Sequence, residues 1–150
     1  MSEQQPLPNQ PGFEVLRHYL KDLSFESPHG PVAPGELGQI GFHLQVQVGV
    51  RTLGADRYTV MLEITASGKL AERIVLLAEV EYAADVRLHL VPQPVVDHVL
   101  GVEVPNFLIG FVKAVLEQNS RLAGYPPIDI TNVDFRKMHY ETVGARATAR

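Results

Sequence analysis

The sequence predicts an α+β fold, a four-stranded antiparallel sheet with a Greek-key crossover followed by two helices. Three observations carry this. Segments that alternate apolar and polar residues fill the chain up to about residue 90. A Pro- and Gly-rich stretch at 27–39, SPHGPVAPGELGQ, parts the first segment from the others and is too long for a hairpin. A dense apolar pattern at 104–122 has helical spacing and is closed by Gly124, Pro126 and Pro127. With 150 residues, 45% of them apolar and 20% charged, the chain is sized for one domain with a substantial core.

Residues 1–12 are polar and hold three prolines, which predicts a disordered arm ahead of a domain spanning 13–143. In the first strand Phe13, Val15, Arg17 and Tyr19 oppose Glu14, Leu16, His18 and Leu20. The phase then shifts near Lys21, so that Leu23 and Phe25 face one way and Asp22, Ser24 and Glu26 the other, as a bulge would produce. After the crossover, Phe42, Leu44, Val46, Val48 and Val50 alternate with His43, Gln45, Gln47, Gly49 and Arg51, giving one apolar and one wet face. The third strand follows a turn at 54–56, sets Tyr58, Val60, Leu62 and Ile64 against Thr59, Met61, Glu63 and Thr65, and is expected to turn at 67–69, Ser-Gly-Lys. The fourth begins near Arg73, is expected to break at Ala83-Ala84-Asp85, and resumes as VRLHLV. Residues 92–103 read as a connection with a short helical turn at 95–100.

Pro105 suits the first turn of the helix at 104–122, where its missing N–H leaves nothing unsatisfied. Phe107, Phe111 and Val115 line one face, while Leu108, Val112 and Leu116 line another. A helix on a protein surface needs an apolar arc of roughly 100°. This one exceeds that, which predicts packing against its own sheet and against a second copy of the chain. The segment 124–135, GYPPIDITNVDF, reads as an extended loop anchored by its apolar side chains. Asn132 or Asp134 caps a last helix beginning near Phe135 and including Met138 and Tyr140, and 144–150 is expected to fray as a flexible tail.

Several functions are disfavoured. There is no cysteine, so no disulfide framework and no thiol chemistry. The start of the chain has neither a basic segment nor an apolar one of the kind that directs secretion, and no run approaching 18 apolar residues is apparent, which predicts a cytoplasmic protein without membrane insertion. Residues 1–135 carry nine Lys/Arg against sixteen Asp/Glu, and 136–150 four against one, the reverse of what a nucleic-acid binder shows over its folded part. The six histidines have no i, i+4 pairing and no HExxH spacing, so no metal site is expected, and no nucleophile or phosphate-binding motif occurs. Glu79 and Glu81 share a strand face, as a glycosidase pair would, but a solvated acidic face is the simpler reading. No catalytic residue and no cofactor is assigned.

Two surfaces remain. Asp22 and Glu26 share a face of the first strand, Leu77, Glu79 and Glu81 a face of the fourth, and together they would attract a basic partner if the strands adjoin. Tyr125, Ile128, Ile130, Phe135, Met138 and Tyr140 would lie over the apolar sheet face, either as core or as the wall of a groove for extended apolar peptide.

Three segments, YLKDLSFESPHGP at 19–31, VEVPNFL at 102–108 and GYPPIDITNVDF at 124–135, resemble the SecB protein-export chaperone family in order and spacing. The resemblance covers about residues 13–143. It implies a four-stranded antiparallel sheet with two helices, assembled as a homotetramer, a dimer of dimers packed through the long helix by Phe107, Leu108, Phe111, Val112, Val115 and Leu116. On that basis Leu108→Glu is expected to split tetramers into dimers. It also implies an ATP-independent chaperone that holds unfolded precursor proteins for export and delivers them to the SecA motor ATPase. The motor's basic tail would dock on Asp22, Glu26, Leu77 and Glu79. Clients would lie in a groove lined by Phe42, Leu44, Val46, Tyr125, Ile128, Ile130, Phe135 and Met138. A variant reading is a SecB-like chaperone dedicated to one client, such as an antitoxin. The reading from another class is a small apolar ligand carrier or enzyme, which requires a closed pocket over the sheet with convergent polar groups.

Overall fold

The alternating segments form four long strands. In the computed structural model, which describes residues 10–148 and side chains as far as 144, they are β1 (Gly12–Glu26), β2 (Gly41–Thr52), β3 (Arg57–Leu70) and β4 (Arg73–His89). They make one antiparallel sheet in the order β1-β4-β3-β2, so the crossover at 27–39, with a 3-10 turn at Pro34–Gln39, carries the chain from one edge to the other. One face is the core. Val60, Leu62, Ile64, Val80, Ala84 and Val86 are fully buried there.

The phase change near Lys21 is a bulge, falling between Leu20 and Asp22 in the pairing with β4. A second bulge, between Val15 and Arg17, is invisible in the pattern and corrects the faces read from it. Phe13 and Val15 pair with Leu88 and Val86, but His18 and Leu20 then pair with Ala84 and Tyr82 on the same face. Arg17 and Tyr19 are thereby turned to the outer face.

Two expected interruptions are absent. β3 continues through Ser67-Gly68-Lys69, because Gly68 is a packing glycine and not a turn glycine. A Cβ there would lie 3.1 Å from the side chains of both Ile40 and Phe42. The hairpin turns instead at Ala71-Glu72, with Ala71 at φ 54°. β4 does not break at Ala83-Ala84-Asp85, since that segment is paired on both sides, to Tyr19, His18 and Arg17 and to Met61, Val60 and Thr59.

Asp85 explains why a polar residue is tolerated mid-sheet. It is 6% exposed, accepts a hydrogen bond from the Thr59 hydroxyl at 2.6 Å, and pairs with Arg17. Burial alone would raise its pKa, but the hydrogen bonds from Thr59 and Arg17 and the Arg17 charge outweigh it and hold the carboxyl below its ordinary value. A lowered folded pKa gives stability that is present above the unfolded value, about 3.9, and lost as pH falls through the folded one. Asp85→Asn is therefore expected to lower stability by about 1–3 kcal/mol at pH 7 and to flatten the urea midpoint's decline below about pH 4. An unchanged acid limb would remove Asp85 from that role.

The residues read as a connection at 92–103 are helical. α1 (Gln93–His98) runs through a wide π turn at Val99–Glu103 into α2 (Val104–Leu122). Pro105 lacks the amide that would bond Gly101, and its ring would crowd that carbonyl. The wide turn, closed by the Val104 amide on the Val99 carbonyl, makes room for it. The continuous 30-residue helix contains an 18-residue window of mean hydropathy 1.7, long and apolar enough by length and composition to cross a membrane, with 44% of the window buried inside the protein. Asp97, Glu103, Lys113 and Glu117 interrupt the helix's apolar sequence, so it holds no uninterrupted run of 18 apolar residues.

The two apolar faces of α2 have different fates. Leu108, Val112 and Leu116 are fully buried in the protomer's core. Phe107 is 37% exposed, with Phe111 and Val115 half-buried beside it. The helix stops at Gly124, φ 84°, where the left-handed backbone suits glycine. In the following loop Tyr125, Ile128 and Ile130 are buried, so its apolar side chains do anchor it. Asp134 caps α3 (Phe135–Thr148), its carboxylate accepting the Lys137 amide at 3.0 Å. The helix extends past 143 through the first part of the expected tail. Residues 1–9 of the arm and 149–150 of the tail lie outside the described residues.

Candidate functional site

Three surfaces collect the residues singled out by the sequence. The first is the outer sheet face. With Lys21 absorbed in its bulge, Asp22, Ser24 and Glu26 pair directly with Glu81, Glu79 and Leu77 of β4. The two acidic sets therefore adjoin, with directly opposed side chains roughly 5 Å apart at Cβ. Asp22, Glu26 and Glu79 are exposed and Leu77 is half-buried. The row Asp22, Glu81, Glu63 continues onto β3, adding a carboxylate, Glu63, that only the strand register could place there. Lys21 reaches back to Glu81 at 3.3 Å and is the one cation paired within the patch among the described residues.

The second surface is the apolar stripe of β2 and the groove beside it. Phe42, Leu44, Val46, Val48 and Val50 share the core-side face, and as β2 is an edge strand they are only partly covered: Phe42 and Val50 at the ends are 38% and 48% exposed, and Leu44, Val46 and Val48 between them are half-buried. At the Val50 end a groove of about 500 Å³ opens between β2, the π turn and α3, with Val46, Leu100, Phe135 and Met138 among its lining residues. Gly101 sets how closely α3 approaches, since a Cβ there would lie 2.8 Å from His139 Nδ1. Asp97, His139 and Thr142 supply polar edges.

Of the eight residues expected in this groove, the structure brings Val46, Phe135 and Met138 to it, with Phe135 only 2% exposed as part of its floor. Phe42 and Leu44 continue the stripe along β2. Tyr125, Ile128 and Ile130 do not line it, being 1–3% exposed under the loop. The Tyr125 hydroxyl shows why: it lies 3.0 Å from the Gly30 carbonyl, 3.1 Å from the Val75 carbonyl and 3.0 Å from the Ser27 hydroxyl, clamping the crossover to β4. Val48, Val50, Leu100 and Val143 were not assigned to the groove from the sequence, although the phase of β2 already pointed to the two valines.

The third surface lies between β1 and α2. Leu20 and Leu23 are 43% and 37% exposed on the core-side face of β1, opposite Tyr82 and Val80, and on α2 Phe107 is 37% exposed with Phe111 and Val115 half-buried. Phe111 stacks parallel to the Tyr82 ring at 5.4 Å, and His18 packs on Phe111 at 4.4 Å while its Nδ1 meets the Tyr82 hydroxyl at 2.8 Å. Burial pushes the Tyr82 hydroxyl's pKa up. Leu108, Val112 and Leu116, also expected at a subunit interface, are not available to one, because the protomer's own sheet covers them.

No group of three or more potential metal ligands occurs among the described residues, and no buried side-chain polar atom there lacks a hydrogen-bond partner. Residues 6–146 match the family described as preprotein translocase subunit SecB. The protein-export protein SecB of Parvibaculum lavamentivorans is 32% identical over 93% of this chain and 86% of its own. That of Chromobacterium violaceum is 30% identical over 99% of this chain and 98% of its own. Among solved structures, a SecB-like chaperone of Mycobacterium tuberculosis, in complex with a ChAD peptide from an antitoxin, matches with a TM-score of 0.68 at 13% identity, covering 81% of this chain and 91% of that one. The fold is thus shared with that chaperone, and by sequence the chain belongs to the SecB family, whose members are export chaperones and not enzymes.

Proposed function

We propose that the chain is an ATP-independent chaperone that binds unfolded precursor proteins in the cytoplasm, keeps them export-competent, and delivers them to the SecA motor ATPase as a homotetramer. The observation that carries the reading is the half-exposed apolar stripe of β2 running into the groove under α3. From Phe42 to Val50 it spans about 27 Å, long enough for an extended segment of roughly eight residues. Burying apolar side chains there contributes roughly 25 cal/mol per Å² and needs no particular sequence. The far edge of β2 has no strand partner among the described residues, so a client's main chain can hydrogen-bond to it as well. Such a segment is offered only while the client is unfolded, so client folding competes with capture and no nucleotide is required.

The acidic outer face fits a basic docking partner, here the SecA tail on Asp22, Glu26, Leu77 and Glu79, with Glu63 and Glu81 extending the field. The apolar surface between β1 and α2 fits self-association. A small-ligand carrier suits the geometry less well, because the groove continues along β2 to exposed Phe42 instead of closing around a cavity.

Light scattering tests the reading. The purified protein is expected at a mass about four times the 16.6 kDa protomer and to form a soluble complex with slowly folding polypeptides while they are unfolded but not once folded. Capture of one antitoxin-like client and no other would favour the dedicated variant. A monomer indifferent to unfolded chains would sink the proposal.

A further inference from the structure

The outer sheet face changes sign along its length, carboxylates dominating one end and arginines the other. Along β4, eight residues beyond Glu79, about 27 Å away, the same face carries arginines. Arg17 pairs across to Asp85, Arg51 lies across from Thr59 in the same row, and Arg57 sits directly opposite Arg87 in the next. Like charges directly opposed across strands are destabilising. Part of this is relieved, since Asp85 holds Arg17 and Glu14 lies 3.7 Å from Arg87. Exposed Arg51 and Arg57 make no ion pair among the described residues. Arg51 adds its charge to the field that keeps buried Asp85 ionised, whereas Arg57, set directly against Arg87, has no such role.

We propose that this arginine end is a second docking pole, which binds an acidic polypeptide segment of the partner whose basic segment lies on Asp22, Glu26 and Glu79. The inference rests on the reading of the outer face as a docking surface and adds the direction of docking. A partner laid the other way would set its basic segment on the arginines and its acidic segment on the carboxylates, so charge repulsion rejects it. A polypeptide is favoured over a nucleic acid or an anionic membrane because either polyanion, lying on this face, would also meet Asp22, Glu26, Glu63, Glu79 and Glu81. Only a chain that changes sign along its length satisfies both poles.

Fluorescence anisotropy with the full-length protein and three labelled peptides tests this: hexaglutamate, hexalysine, and the two joined by a flexible linker of about 24 residues, whose mean reach matches the gap. Hexaglutamate is expected to bind at low salt, to lose affinity as salt rises, and to bind about tenfold more weakly to Arg51→Glu/Arg57→Glu. The joined peptide is expected to bind at least about tenfold more tightly than either half. Both arginines are exposed, and the neutral pair Arg51→Gln/Arg57→Gln is expected to give an intermediate loss, which separates charge from misfolding. Hexaglutamate binding unchanged by the reversal would overturn the proposal, as would tighter binding of a single-stranded oligonucleotide or of vesicles containing phosphatidylserine through the same arginines. Failure of hexalysine to bind would overturn the docking reading itself and the second pole with it, whereas capture of unfolded protein would stand in every case.

Discussion

Leu108→Glu is expected to unfold the protomer, not merely to separate protomers. Leu108 is fully buried on the face of α2 that packs on β3 and β4. Removing a buried leucine typically costs about 2–5 kcal/mol, and a carboxylate left there without a partner adds several more. Together these match the whole stability of a domain this size, about 5–15 kcal/mol. Circular dichroism should show loss of the cooperative melt. Phe107→Glu with Val115→Glu, on the exposed face, is the contrasting pair: the melt is expected to persist while sedimentation shows species smaller than the proposed tetramer. If the tetramer survives that pair, the β1–α2 surface is not the interface. If Leu108→Glu melts like the parent, the helix packs on the sheet otherwise than described.

The second large effect is on docking. Asp22→Lys with Glu79→Lys turns two exposed carboxylates of one face into cations, leaving Glu26, Glu63 and Glu81 opposed by Lys21 and two new lysines. Binding of the basic tail of the proposed SecA partner is expected to fall at least about a hundredfold, since like charges set against each other cost several kcal/mol. Capture of unfolded protein is expected to be unchanged, because both residues lie on the opposite side of the sheet from the β2 stripe. Loss of both activities would make the patch structural. Retention of tail binding would move the motor contact elsewhere.

The strands were readable because their faces differ in polarity, and that period survives folding. It placed the apolar side of β2, the acidic sides of β1 and β4, and the bulge at Lys21, where the pattern changes phase within one strand. The bulge at Leu16 left no such mark, since Leu16 and His18 read equally well on either face. Proline and glycine misled where they serve packing. Pro92, Pro94 and Gly101 read as a connection, yet Pro94 sits in the first turn of α1 and Gly101 gives His139 room against the π turn. The groove was legible in outline only. Tyr125, Ile128 and Ile130 are as apolar as a groove wall requires, and nothing in their spacing says that a tyrosine hydroxyl ties three backbone and side-chain partners together beneath them. The same limit applies to α2, whose two apolar faces look alike in sequence and are told apart only by which one the sheet covers.

The continuous helix from Gln93 to Leu122 has a further consequence for how the protein is made. Its apolar residues need a partner surface, and the sheet supplies one for Leu108, Val112 and Leu116. The chain order provides that surface first. All four strands, ending at His89, leave the ribosome before the helix does, so the apolar sheet face that receives Leu108, Val112 and Leu116 is already synthesised when they emerge. Biosynthesis in the direction of the chain thus shortens the time for which the helix's apolar face stands uncovered.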